Sequence, residues 1–136
     1  MVRIDIEYLG DLHTKCIHGP SGQELLTDAP VDNRGKGEFF SPTDLLATAS
    51  ASCIATIMGI KAKDSNIDIK GMTITVDKEM TNVPYRHVKK LIYKVCFPHQ
   101  LNQKDFTIMK NVIRGCPVTR SLDPSIELDI TYEFAK

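Results

Sequence analysis

Apolar and polar residues alternate at both ends of the chain, through Val2, Ile4, Ile6 and Tyr8 at the start and through Ile126, Leu128, Ile130, Tyr132 and Phe134 at the end. A period of two predicts half-buried strands, each with one wet face. Ile67 and Ile69, then Met72, Ile74 and Val76, alternate in two phases about Gly71, which predicts one long strand carrying a bulge or bend. Residues 85–97 are its expected hairpin partner, with Val83-Pro84 at the connection and Pro98 closing the strand. Residues 12–17 and 23–27 form a weaker hairpin around Gly19-Pro20-Ser21-Gly22. The pattern breaks at residues 45–60, where Leu45, Leu46, Ala49, Ala51, Ile54, Ile57 and Met58 make a helix apolar almost all round. Ser41 is a good N-cap for it, Pro42 suits the first helical position, and Asp44 completes a capping box. Phe106, Met109, Val112 and Ile113 mark a second, amphipathic helix that Gly115 ends, and Pro117 can begin a short new one with Cys116 as its N-cap.

The expected order is three strands, a long helix, two long strands, a helix with a short extension, and a final strand. Strands grouped apart from helices predict an α+β fold, with antiparallel sheets packed around a long buried helix, in one domain over residues 1–136. A helix apolar on every side needs more cover than one chain of this size provides, so a homodimer is expected. Lysine plus arginine equal aspartate plus glutamate at 17 each, which leaves no overall field to attract nucleic acid or an acidic membrane surface. The one basic run, Arg86-His87-Val88-Lys89-Lys90, reads as the solvated end of a strand. The alternating N-terminus does not resemble a signal peptide, and no apolar run is expected to reach membrane-span length, so the expectation is a cytoplasmic protein with reduced thiols.

Cysteines stand at positions 16, 53, 96 and 116 without a Cys-x-x-Cys, and His13, His18, His87 and His99 form no close helical pair, so no metal is expected. Nucleotide-binding and serine-hydrolase motifs are absent, and no cofactor is expected. Cys16 and Cys96 fall in strands without an acid or base beside them and read as structural. Cys53 and Cys116 are different. A free thiol is only ~3% thiolate at pH 7, so reactivity needs a local cause. For Cys116 that cause is the helix N-terminus at the Cys-Pro turn, with Arg120 one turn later. Cys53 sits inside the long helix, where burial raises its pKa, and it needs a cation from elsewhere; Arg34, in the glycine-rich stretch 32–38, is the candidate. An inert core cysteine is the competing reading of Cys53.

Ser41-Pro42-Thr43-Asp44-Leu45-Leu46, Ala51-Ser52-Cys53 and Cys116-Pro117-Val118-Thr119-Arg120-Ser121-Leu122, followed by the last strand, resemble the osmotically inducible protein C / organic hydroperoxide resistance (OsmC/Ohr) family over nearly the whole chain. The resemblance implies an intertwined homodimer with two active sites at the subunit interface. It also implies a peroxidatic role for Cys53, a resolving role for Cys116, a Cys53–Cys116 disulfide reset by an external dithiol such as a lipoyl group or a small thiol, and a thiolate-supporting role for Arg34. Family members that reduce hydroperoxides carry a glutamate where this chain has Thr43. The function expected is therefore reduction of organic hydroperoxides in oxidative-stress defence; the alternative is a non-enzymatic, redox-responsive or apolar-ligand-binding dimer.

Overall fold

A computed structural model describes all 136 residues, which fall into two compact units, Met1–Leu46 and Ala47–Lys136. In the first unit, strands β1 (Ile4–Gly10), β2 (His13–His18) and β3 (Glu24–Asp28) form an antiparallel meander in that order. A loop leads on from β3 through a short 3-10 turn, Val31–Asn33, and returns at Phe40, which bridges Thr27. Gly35 is required in this loop: a Cβ there would lie 1.6 Å from the carbonyl oxygen of Ala29. The capping box expected at residues 41–44 is present, since Asp44 N–H donates to Ser41 Oγ (3.1 Å) and Ser41 N–H donates to Asp44 Oδ2 (2.8 Å).

Helix α1 (Pro42–Asp64) begins there and runs into the second unit. It is followed by β4 (Thr73–Thr81), β5 (His87–Phe97), α2 (Gln103–Val112) and β6 (Glu127–Phe134), with β5 at the centre of a three-stranded sheet. Leu91, Tyr93, Val95 and Phe97 alternate along β5 and are wholly buried, as the central strand of a covered sheet requires. Phe97 stacks on Tyr132 and Phe134 of β6 and meets Phe106 of α2 edge to face, at a centroid distance of 6.2 Å. This cluster locks α2 and β6 onto the sheet. The basic run at 86–90 lies on and just before β5, where Lys89 pairs with Glu79 (2.9 Å) and Lys90 with Glu127 (3.1 Å), so these two charges are paired within the sheet.

Three expectations need correction. The sheets are not antiparallel throughout: β6 pairs with β5 in parallel, because the chain between them crosses over through α2 instead of turning back in a hairpin. The long strand expected over 67–76 begins only at Thr73, because Gly71 adopts φ +92° and ends a turn there. Within one chain α1 is not covered all round, as a single copy of this size was expected to leave it: Ala47, Ser50, Ala51, Ile54, Met58 and Ala62 form a single buried stripe, while Thr48, Ser52, Thr56 and Ile60 on the opposite side are exposed. Finally, α1 does reach membrane-span length. Its 23 residues include an 18-residue window of mean hydropathy 1.5, because alanine, serine and threonine fill the helix without charge.

A candidate two-cysteine site

The stripe that buries Ile54 and Met58 brings α1 against β5, and Ser50 marks the contact. Its hydroxyl donates to the Ala47 carbonyl (2.7 Å) and accepts from the Tyr93 hydroxyl (2.8 Å), so both buried polar groups are satisfied. Cys53 lies three residues along α1 from Ser50 and is half-buried. Cys116 is wholly buried. It follows a 3-10 turn, Ile113–Gly115, that tightens the end of α2, and precedes another, Thr119–Ser121. The two thiols, far apart in sequence, come close enough for each to perturb the ionisation of the other.

The local electrostatics of the pair are asymmetric. Burial pushes the Cys53 thiol up, and its hydrogen bond with Cys116 adds to the effect. Burial acts on Cys116 in the same sense but is outweighed by hydrogen bonds donated to its sulfur, from Cys53 and from the Thr119 N–H (3.4 Å) among others, so that thiol is lowered. Cys116 does not take the N-cap position expected of it: the following 3-10 turn, Thr119–Ser121, is preceded by Val118, and Cys116 accepts the Thr119 N–H from one residue before Pro117. The local environment thus favours the thiolate form more at Cys116 than at Cys53. A peroxidatic Cys53 accordingly needs a cation brought to it.

Arg34 belongs to the first unit. It is exposed, adopts φ +69° after the 3-10 turn, and makes no ion pair. Thr43 lies within hydrogen-bond reach of Ser41 Oγ (3.2 Å), and Asp44 is engaged in the capping box. Cys16 on β2 and Cys96 on β5 are half-buried. Ser50, Tyr93 and Thr119 were not picked out from the sequence. The available signal was Tyr93, the one hydroxyl-bearing side chain on the buried face of β5, since a buried tyrosine needs a polar partner.

The OsmC-like protein family matches residues 35–131. Among solved structures, a candidate osmotic-stress-induced and detoxification-response protein of Psychrobacter arcticus is 47% identical, with a TM-score of 0.92 over 98% of this chain and 96% of that one. The organic hydroperoxide resistance protein OsmC of Legionella pneumophila has a TM-score of 0.80 at 13% identity, over 98% of this chain and 96% of its own. OhrB of Bacillus subtilis, an organic hydroperoxide resistance protein, has a TM-score of 0.74 at 12% identity, over 98% of both chains. These last two establish the likeness of fold. No curated protein sequence matches the chain. The match over most of its length and the shared α+β fold, two sheets with two helices, place the chain in the OsmC-like protein family.

Proposed function

We propose that the protein is a thiol-dependent reductase of organic hydroperoxides that serves oxidative-stress defence in the cytoplasm. The observation that carries this reading is the proximity of Cys53 and Cys116, close enough for each thiol to perturb the ionisation of the other. In the reaction, the Cys53 thiolate attacks the distal peroxide oxygen. The O–O bond breaks, the alcohol leaves with a proton, and Cys53 becomes a sulfenic acid. The Cys116 sulfur then attacks Cys53, expelling water and forming the disulfide. A dithiol restores both thiols by exchange, becoming the oxidised partner. No cofactor takes part. Tyr93 and Ser50 hold α1 on β5, so the two sulfurs stay together without a conformational search.

Arg34 is the cation assigned to Cys53, brought by its loop in the same chain or in a second copy of a homodimer. The dimer is supported by an apolar surface that a lone chain leaves open, Ile4, Ile6 and Tyr8 along β1, and by the uncharged outer side of α1. One observation favours a second reading, a non-enzymatic dimer that binds an apolar ligand. An open cleft of about 320 Å³ lies beside α1, lined by Ala51, Ala55, Met72, Ile74 and Val76 among others.

The test is one equivalent of cumene hydroperoxide added to reduced protein, followed by non-reducing peptide mapping. A Cys53–Cys116 disulfide is expected, closing a loop of about 60 residues and raising stability by about 4 kcal/mol if unstrained. Pairing through Cys16 or Cys96, or oxidation no faster than that of a free thiol, would instead favour the ligand-binding reading.

The role of Arg34 has its own measurement, the second-order rate of Cys53 oxidation. Thr43→Glu supplies a carboxylate to orient the guanidinium, an interaction worth about 1.5–3 kcal/mol. With half of that reaching the transition state, the rate rises roughly 3- to 13-fold. Adding Arg34→Ala should remove the gain; a gain that survives it assigns the cation elsewhere.

A further inference from the structure

In the first unit, three segments bring together ligand types that no short motif connects. His13 opens β2, Asp28 closes β3, and Glu38 lies in the loop beyond. His13 Nε2 lies 3.2 Å from Glu38 Oε2 and 3.6 Å from Asp28 Oδ2. His13 Nδ1 is 2.7 Å from the Asp11 carbonyl, to which it donates; in the neutral ring this leaves the Nε2 lone pair facing the two carboxylates. The Asp28 side chain is wholly buried, and its Oδ2 accepts the N–H groups of Glu38 (3.0 Å) and Lys36 (3.2 Å). Its Oδ1 is buried with no hydrogen-bond partner.

A buried carboxylate oxygen without a partner is costly. A cation bound at the edge of the carboxylate would engage Oδ1 together with Oδ2. The spacing fits a metal ion as well. Tetrahedral ligands at about 2.1 Å from zinc stand roughly 3.4 Å from one another, close to the two separations measured from Nε2. We propose that His13, Asp28 and Glu38 form a site for a divalent first-row transition metal such as Zn²⁺. One imidazole with two carboxylates selects this class over the purely oxygen-bound Ca²⁺ and Mg²⁺, and a fourth position stays open to water. Bound there, the ion ties β2, the end of β3 and the 30–40 loop together. The expectation of no metal looked for ligands close in sequence; these three converge only through the meander.

The adjoining thiols of Cys53 and Cys116 are a rival zinc ligand pair, so binding is measured in the full chain carrying Cys53→Ser and Cys116→Ser. Competition for Zn²⁺ against a chromophoric chelator should give one equivalent bound, and His13→Gln and Glu38→Gln should each weaken it at least about 10-fold. Both side chains are partly exposed, and circular dichroism checks that each variant keeps its fold. Co²⁺ added to the chain with His13 and Glu38 intact tests the ligand set independently: ligand-field bands without a thiolate charge-transfer band support nitrogen and oxygen ligation. Absence of stoichiometric zinc binding, affinities unchanged in both variants, or a thiolate band in the cobalt spectrum overturns the site.

Discussion

Cys53→Ser abolishes consumption of an organic hydroperoxide, whereas Cys116→Ser permits one turnover and then accumulates sulfenic or sulfinic acid on Cys53, read by mass spectrometry under limiting peroxide. The contrast follows from the geometry. In the proposed mechanism a sulfenic acid on Cys53 has Cys116 nearby to resolve it, and removing that thiol leaves further oxidation as the competing fate. The experiment also decides between two assignments of charge. The backbone N–H groups around Cys116 favour a thiolate there, while burial disfavours one on Cys53. If no cation reaches Cys53, the roles exchange: Cys116→Ser becomes the inactive variant and Cys53→Ser accumulates oxidised Cys116. That result would overturn the mechanism proposed while leaving the pair as the reactive centre.

Phe97→Ala is the largest stability change expected. Phe97 has no exposed surface and contacts aromatic rings from β6 and α2, so truncation leaves a cavity at the joint of three elements. Loss of about 3–5 kcal/mol is expected, which lowers Tm by roughly 10–20 °C in a domain of this size. Phe97→Leu should recover most of it. Urea denaturation with an unchanged m-value checks that the loss lies in the native state. A loss below about 1 kcal/mol would show that the aromatic cluster is not part of the cooperative core.

Local chemistry was legible in the sequence, and direction and convergence were not. Ser41, Pro42 and Asp44 announced the start of α1 because capping is settled within four residues. Alternation located β1, β5 and β6, but a period of two is the same in parallel and antiparallel strands, so the direction of β6 could not be read from it. The buried side of α1 was equally silent. Alanine, serine and threonine surround the helix, and hydropathy barely separates the covered stripe from the open one. Cys53 and Cys116 stood out one by one through their local settings, and the resemblance joined them. The Ser50–Tyr93 hydrogen bond and the His13, Asp28 and Glu38 cluster depend on pairings between separate elements, and no single stretch of sequence records them.

Cys116 is carried by the crossover between two parallel strands, which couples its chemistry to the order of synthesis. The hairpin of β4 and β5 pairs residues near in sequence, whereas docking β6 beside β5 closes a much longer loop and is the slower step. A chain leaving the ribosome completes α1, β4 and β5 before β6 exists. During that interval Cys53 has been made but Cys116 has not been placed, so under the proposed mechanism a sulfenic acid formed on a newborn chain would have no resolving thiol to intercept it. Under that mechanism irreversible damage should concentrate in nascent molecules, and completing the fold would be what makes oxidation reversible.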